Sequence, residues 1–249
     1  MAQSLPKRTL FAFDFDHTLI DDNTDTFILE ITDDVNIICN LKTAFQSWRN
    51  SNLGWTECMR LLFKLMHSLS FSPELIVAHM EKIKIPEERL RILHFLSKQP
   101  DTELIIISDS NTVFIDSILK CHGVDKYFTR VYTNPAKFNT EGLLEIEAYH
   151  VNTSCPLSPP NMCKDLILRE HISNSLVERS NLRVVYLGDG SGDFCAAKGL
   201  FMQDFVAARK GYSLASKLSP IQITGGIAVN IILSDFGEDL ETFVHSLYT

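Results

Sequence analysis

Leu-Phe-Ala-Phe-Asp-Phe-Asp-His-Thr, residues 10–18, joins an uninterrupted apolar run to two aspartates. A run without polar alternation is typical of a strand buried on both faces, as in a parallel sheet. Because side chains two residues apart on a strand point to one side, Asp14 and Asp16 are predicted to face one site. Open α/β sheets bind ligands beyond the carboxyl ends of their strands. The alternative is a solvated acidic turn, or a helix cap formed by Asp16 or Thr18.

Similar short apolar runs recur along the chain. The predicted strands cover 10–15, 104–108, 184–188, 205–207 and 228–233. Stretches with helical spacing lie between several of them, at 113–121, 162–172 and 193–200. Alternating strands and helices predict an α/β fold with a doubly wound parallel sheet, Rossmann-like in architecture.

The segment 22–99 has a different character. Helical patterns cover 44–49, 56–67, 73–83 and 86–96, and no strand pattern interrupts them. An all-helical insertion after the first strand would lie above the sheet as a cap. We therefore expect a catalytic core of 1–21 and 100–249 and a helical cap domain of 22–99. A second insertion, 128–149, is predicted to be strand–turn–strand around Asn-Thr-Glu-Gly at 139–142.

Two further stretches place polar groups where predicted strands end. Ile-Ser-Asp-Ser-Asn at 107–111 ends one strand and opens a helix, where a hydroxyl and free N–H groups can hold phosphate oxygens. Its alternative reading is N-capping by Ser108, Asp109 or Ser110. Gly-Asp-Gly-Ser-Gly-Asp at 188–193 follows another strand, and its glycines allow the backbone to approach a ligand while two carboxylates converge.

Lys164 begins a predicted helix and could act as a point charge against phosphate oxygens. Surface lysines are common, so this residue alone decides nothing. His150, Cys155 and Cys163 match no zinc-ligand spacing, and we interpret them as loop or core residues. Cys195 is interpreted as a buried helix residue, with a redox-sensitive thiol as the alternative.

Composition limits the classes of partner. The formal net charge of −8 repels polyanions, so nucleic acid is not expected as a partner. The six cysteines form no C-x-x-C pair and are predicted to be free thiols in a reducing compartment. The first residues carry no signal-peptide pattern, and no apolar run reaches the about 18 residues of a membrane span. We expect a cytoplasmic location and no membrane partner; the oligomeric state stays open.

The order of these motifs, Asp-x-Asp-x-Thr, Ser-Asp-x-Asn, Lys and Gly-Asp-Gly-x-Gly-Asp, resembles phosphatases of the haloacid-dehalogenase (HAD) superfamily. The sequences of four segments, 13–26, 107–111, 160–164 and 188–195, are similar to those of a small animal family. This family includes phosphoethanolamine/phosphocholine phosphatase and pyridoxal phosphate phosphatase. The sequence of residues 21–26 is more similar to the pyridoxal phosphate phosphatase branch of this family than to the other branch. Two departures bear on substrate choice: His17 replaces a frequent Glu or Asn, and Ser191-Gly192 a frequent Ala-Asn.

The resemblance implies a role for each matching residue. Asp14 would be the nucleophile, and Asp16 the general acid and then base. Mg²⁺ would be bound by the Asp14 carboxylate, the Asp16 backbone carbonyl and the Asp189 carboxylate, with Asp193 orienting its waters. Ser108 and Lys164 would act on the phosphate, and Asp25, Asp109 and Asn111 would contact substrate. Helix capping is the alternative role for Asp25 and Asp109.

The resemblance therefore implies a Mg²⁺-dependent phosphomonoesterase that hydrolyses a small metabolite through an aspartyl phosphate. Pyridoxal 5′-phosphate is the expected substrate, with phosphoethanolamine or phosphocholine as the alternative. A protein of this fold that binds a phosphate ligand without turnover is a rival from another class. The presence of Asp14, Asp16 and Lys164 argues against that rival, and a cap argues against phosphoprotein substrates.

Overall fold

The computed structural model describes residues 8–51, 53–224 and 228–249. The strands in these ranges are β1 (Arg8–Phe13), β2 (Thr102–Asn111), β3 (Arg130–Asn134), β4 (Ala136–Phe138), β5 (Leu144–Ile146), β6 (Leu182–Gly188), β7 (Phe205–Arg209) and β8 (Asn230–Ser234). Six of them form one sheet in the order β3-β2-β1-β6-β7-β8, and every pairing is parallel. This is the order of a Rossmann-like doubly wound sheet, as predicted.

Ten α-helices lie in the described residues. They are α1 (Thr24–Phe27), α2 (Val35–Arg49), α3 (Trp55–Ser68), α4 (Pro73–Met80), α5 (Glu87–Leu96), α6 (Thr112–Cys121), α7 (Lys164–Ser173), α8 (Phe194–Lys198), α9 (Ser213–Thr224) and α10 (Glu238–Ser246). Helix α2 begins well before the predicted 44–49, because Asp34 caps it by accepting from the amides of Asn36 and Ile37.

Strand β1 shows why its apolar run is uninterrupted. Phe11 and Phe13 pack into one core with α6 and α10, whereas Leu10 and Ala12 pack into a second core with α7, α8 and α9. Successive side chains alternate between the faces of a strand, so a strand covered by helices on both sides needs apolar residues at every position. The doubly wound arrangement follows.

The described residues of the segment between β1 and β2 form helices joined by turns and loops, with no strand among them. Helices α2 and α3 pack against each other, and α3 also packs against the antiparallel hairpin of β4 and β5. In contrast, α5 packs against α10, and Arg91 on α5 forms an ion pair with Glu241 on α10. The proposed division into a core of 1–21 and 100–249 and a cap of 22–99 stays a prediction, and its residues 1–7 lie outside the described residues.

The predicted strand–turn–strand around 139–142 is confirmed as the antiparallel hairpin of β4 and β5, but its predicted bounds, 128–149, are too wide. The first strand within these bounds, β3, joins the edge of the main sheet beside β2, and the hairpin is confined to β4 and β5. The reason is that β3 is a short edge strand whose burial rises only at its end, so it lacks the apolar run of the central strands. Helices α9 and α10 were not predicted. Helix α9 contains Pro220, a residue that usually ends a helix.

Each helix in the described ranges is too short or too polar to cross a lipid bilayer.

Candidate active site

The sheet brings three of the motifs to one edge. Asp14 follows β1, Asp189 follows β6, and Ser108 lies in the last part of β2. The amide of Asp14 donates to the carbonyl of Leu187 at 2.9 Å, which holds the end of β1 against β6. The site therefore lies where the strand order reverses, the usual ligand position of this sheet type.

Lys164 joins two of the predicted carboxylates. Its Nζ donates to Asp14 Oδ1 and to Asp193 Oδ1, each at 2.7 Å. All three side chains are buried. Burial disfavours the ammonium, but Asp14 and Asp193 outweigh this and raise the pKa of Lys164 well above its usual value. Lys164 is the first residue of α7, so the helix start fixes its position.

Asp193 is the most heavily bonded group of the site. Besides Lys164, it accepts from the Tyr186 hydroxyl at 2.7 Å. Its Oδ2 accepts from the amides of Asp189 at 3.1 Å and Gly190 at 2.9 Å. Four donors on one carboxylate hold it in a single orientation. A carboxylate held in this way can orient neighbouring groups.

The structure explains the first glycine of the Gly-Asp-Gly-Ser-Gly-Asp motif, Gly188. A Cβ at this position would lie 2.6 Å from both Cγ and Oδ2 of Asp193. Only a residue without a side chain allows this approach, so Gly188 makes room for the carboxylate. At Gly190 an added Cβ would meet Asp193 Oδ2 at 3.5 Å, which is ordinary contact.

The donor set of this cluster suits a hard divalent cation. Oxygens of Asp14, Asp189 and Asp193 all lie within 4.8 Å of one another, and all three residues are buried. Burial and then Asp193 raise the pKa of Asp14 well above its usual value and that of Asp189 to about 6. One ammonium does not balance three carboxylates. Oxygen donors with an excess of negative charge fit Mg²⁺.

Asp16 is held by a residue that the motif analysis missed. The backbone amide of Thr24 donates to Asp16 Oδ1 at 3.1 Å, and its hydroxyl donates to Oδ2 at 2.9 Å. Burial raises the pKa of Asp16 to about 7 although both bonds from Thr24 lower it. A carboxyl group with a pKa near neutrality can both give and accept a proton.

The Ser108 region ends β2 and leads into α6. Asn111 caps α6, because its side chain accepts from the amide of Phe114 at 3.1 Å. The alternative caps, Ser108, Asp109 and Ser110, are therefore wrong. Ser108 is buried and its hydroxyl accepts from the amide of Ser110 at 3.2 Å. The Asn111 Nδ2 is buried and has no hydrogen-bond partner in the described part of the chain, so it remains available to a ligand.

The chain is similar to known phosphatases over most of its length. The sequence profile of a family described as Putative Phosphatase matches residues 9–247. The chain belongs to this phosphatase family. It is 35% identical over 213 residues to pyridoxal phosphate phosphatase PHOSPHO2 of Bos taurus, covering 85% of this chain and 86% of that protein. It is also 34% identical over 219 residues to a thiamine phosphate phosphatase-like protein of Arabidopsis thaliana, covering 85% of this chain and 84% of that protein.

Solved structures share the fold of this phosphatase. A HAD family hydrolase of Salmonella enterica serovar Typhi matches with a TM-score of 0.66 at 15% identity, covering 96% of this chain and 72% of that one. A substrate-bound phosphoserine phosphatase matches with a TM-score of 0.61 at 16% identity, covering 96% and 98%. These likenesses confirm the HAD-type fold. Together with the family match, they make the chain a phosphoric monoester hydrolase.

A cavity of about 410 Å³ lies between the end of β2 and the helical segment that follows β1. Its lining includes Asp25, Asp109, Arg49 and Trp55. Asp25 is not a helix cap, because Asn23 caps α1 by accepting from the amide of Thr26. Burial, and then the charges of Asp16 and Asp109, raise the pKa of Asp25 well above its usual value. The structure thus places both predicted recognition carboxylates at one cavity.

A second cluster was not predicted. The sulfurs of Cys155, Cys163 and Cys195 lie within 4.8 Å of one another. Their separations along the chain match no metal-binding motif, so spacing could not reveal them. Each of the six cysteines lies in a described range and is a free thiol.

Proposed function

We propose that this phosphatase is a Mg²⁺-dependent phosphomonoesterase that hydrolyses pyridoxal 5′-phosphate through an aspartyl phosphate on Asp14. The observation that carries the proposal is the buried contact of Asp14 with Lys164, beside Asp189 and Asp193. A cavity of metabolite size is lined by Asp109, whose charge acts on Asp14 and Asp16. Ligand cavities commonly have volumes of about 300–1,000 Å³.

The chain's own residues supply each step of the reaction. An oxygen of Asp14 bonds to phosphorus as the ester P–O bond breaks, and Lys164 favours the ionised form that can attack. Asp16 gives its proton to the leaving alcohol oxygen. Water then attacks phosphorus while Asp16 takes its proton, which releases inorganic phosphate and restores Asp14. Phosphoryl transfer asks mainly for such positioning and charge neutralisation.

A metal ion completes the charge balance. Bound by the Asp14 and Asp189 carboxylates and the Asp16 backbone carbonyl, Mg²⁺ would offset the repulsion between these oxygens and the phosphate. Asp193 is held by four donors and can orient metal-bound water from outside the ligand set. Ser108 and Asn111 Nδ2, which has no hydrogen-bond partner among the described residues, are assigned to the phosphate oxygens or the adjoining part of the substrate.

Relatives of similar identity have names that point to different phosphates, among them pyridoxal phosphate phosphatase PHOSPHO2 and the thiamine phosphate phosphatase-like protein. Trp55 and Leu53 give the otherwise polar cavity lining an apolar part that a substrate ring could contact, which supports a ring-bearing substrate. Asp25, being buried, favours a group that donates a hydrogen bond or carries a positive charge. Phosphoethanolamine and phosphocholine remain the alternative substrates, because each carries a positive charge that a buried carboxylate would favour.

The test is a phosphate-release assay over pyridoxal 5′-phosphate, phosphoethanolamine and an uncharged aryl phosphate, with Mg²⁺ present. Asp25→Asn should lower kcat/KM for the first two and leave the aryl phosphate unchanged. Asp33→Asn, an exposed change elsewhere in the helical segment, is the matched control. Equal losses on all three substrates would assign Asp25 to positioning of the site and would sink its role in substrate recognition. No turnover of any substrate by the wild type would favour the non-catalytic rival.

The cytoplasm is kept as the proposed compartment, because six unpaired cysteines suit a reducing environment.

A further inference from the structure

Three cysteines come together beside the active site from separate parts of the chain. Cys155 lies in the segment 147–163, which has neither helix nor strand, Cys163 caps α7, and Cys195 lies on α8. Their sulfurs lie within 4.8 Å of one another, and Cys163 and Cys195 are buried. Folding therefore assembles a compact group of three sulfur ligands.

A hydroxyl group that could serve as a fourth metal ligand lies beside the sulfurs. The hydroxyl of Ser158 lies 3.0 Å from Cys195 Sγ and 3.3 Å from Cys155 Sγ. Tetrahedral zinc with metal–sulfur distances of about 2.3 Å requires sulfurs about 3.8 Å apart. The observed spacing reaches that geometry with shifts of at most about 1 Å, because no pair exceeds 4.8 Å.

We propose that Cys155, Cys163 and Cys195 bind one Zn²⁺ as thiolates, with the Ser158 hydroxyl or a water molecule in the fourth position. Each thiol releases its proton to solvent when the metal binds. The soft sulfur donors separate this site from the carboxylate cluster around Asp14, whose oxygens prefer Mg²⁺. Zinc would thus have a site of its own.

The local structure explains what the metal would hold. The segment around Cys155 is already organised by Asn152, whose Nδ2 donates to the carbonyls of Cys155, Ser158 and Pro159. Long connections without helix or strand are uncommon unless they have a function. These hydrogen bonds of Asn152 stay within the segment. Zinc would connect the segment to the starts of α7 and α8.

The same tie connects to catalysis. Cys163 directly precedes Lys164, and Cys195 lies two residues after Asp193. Zinc would therefore fix the two segments whose side chains meet at 2.7 Å in the active site. A disulfide would join two of the sulfurs and leave the third and the hydroxyl without a role, whereas a metal uses all four groups.

The experiment uses the intact protein, purified under reducing conditions, with metal content and cobalt substitution as readouts. We expect one zinc per chain, and Co²⁺ exchange should give thiolate-to-cobalt charge-transfer bands. Co²⁺ in the all-oxygen site gives no such bands. Loss of a residue that only orients a metal ligand typically weakens metal binding by about 10- to 100-fold. Cys155→Ser removes a ligand itself, so it should weaken metal binding by more than this. Cys39→Ser, at an exposed cysteine on α2, is the control and should bind normally.

A gain-of-affinity variant keeps the test decisive if Cys155→Ser folds poorly. Ser158→Cys should complete a four-thiolate site, tighten Co²⁺ binding and intensify the charge-transfer bands. The proposal is overturned if Ser158→Cys leaves the spectrum unchanged, or if Cys39→Ser loses as much metal as Cys155→Ser. A disulfide between any two of the three cysteines in the reduced preparation would also overturn it. These readouts are independent of phosphatase activity.

Discussion

Tyr186→Phe tests the bonded network around Asp193 with the smallest possible change. Tyr186 is fully buried, and its hydroxyl donates to Asp193 Oδ1 at 2.7 Å. Burial, and then the charge of Asp193, raise the pKa of Tyr186 well above its usual value, so the phenol stays a neutral donor. The substitution keeps the ring and removes one of four donors to a buried carboxylate.

The expected cost follows from the charge of the acceptor. A hydrogen bond to a charged group contributes about 1.5–3 kcal/mol, against about 1 kcal/mol for a neutral one. For a chain of this size, 1 kcal/mol corresponds to about 2–4 °C in Tm, so a loss of about 2 kcal/mol predicts a fall of about 4–8 °C. The matched control is Tyr132→Phe, whose hydroxyl bonds to His171 Nδ1 at 2.9 Å in a partly exposed position.

The assay is thermal and urea unfolding of the purified variants, with and without Asp193→Asn. Tyr186→Phe should destabilise the protein more than Tyr132→Phe does. In the Asp193→Asn background its cost should fall to that of a neutral bond. Equal effects of the two tyrosine substitutions, or an unchanged cost beside Asn at 193, would refute a charged network centred on Asp193.

Three further outcomes are expected. Thr24→Val removes a hydroxyl that lowers the pKa of Asp16, so the pKa of Asp16 should rise. The pH at which kcat/KM falls on the alkaline side should therefore increase by about 1 unit. An unmoved limb would exclude Asp16 as the acid. Gly188→Ala should displace Asp193 and cost about 1–3 kcal/mol of stability along with most activity, whereas Gly190→Ala should cost less. EDTA should abolish phosphate release and Mg²⁺ restore it; full activity without metal would contradict an all-oxygen cation site.

The central strands of the fold could be predicted because helices cover both of their faces. For this reason the central residues of both strands are apolar without interruption, 10–13 in β1 and 184–187 in β6. Edge strand β3 has no such run because it is only partly buried, so the sequence pattern did not predict that it joins the sheet. Helix α9 was not predicted because it contains Pro220, a residue that usually ends a helix. The division into core and cap stays a prediction.

The candidate site was predictable in part, because its motifs lie at strand ends. The contact between Lys164 and Asp14 spans 150 residues of chain, so topology and not local sequence creates it. Tyr186 was missed because an aromatic residue in an apolar strand is typical of a core position. The sulfur cluster was missed because one loop and the starts of two helices supply its members. Side-chain partners of this kind appear only once the chain is folded.

The most direct test of the central claim is mass spectrometry of the phosphatase quenched in acid during turnover of pyridoxal 5′-phosphate. The proposed reaction predicts that the peptide containing Asp14 gains the mass of one phosphoryl group, and that Asp14→Asn remains folded but neither gains it nor releases phosphate. Phosphate release by Asp14→Asn near the wild-type rate, or a phosphoryl group on another residue, would contradict Asp14 as the nucleophile.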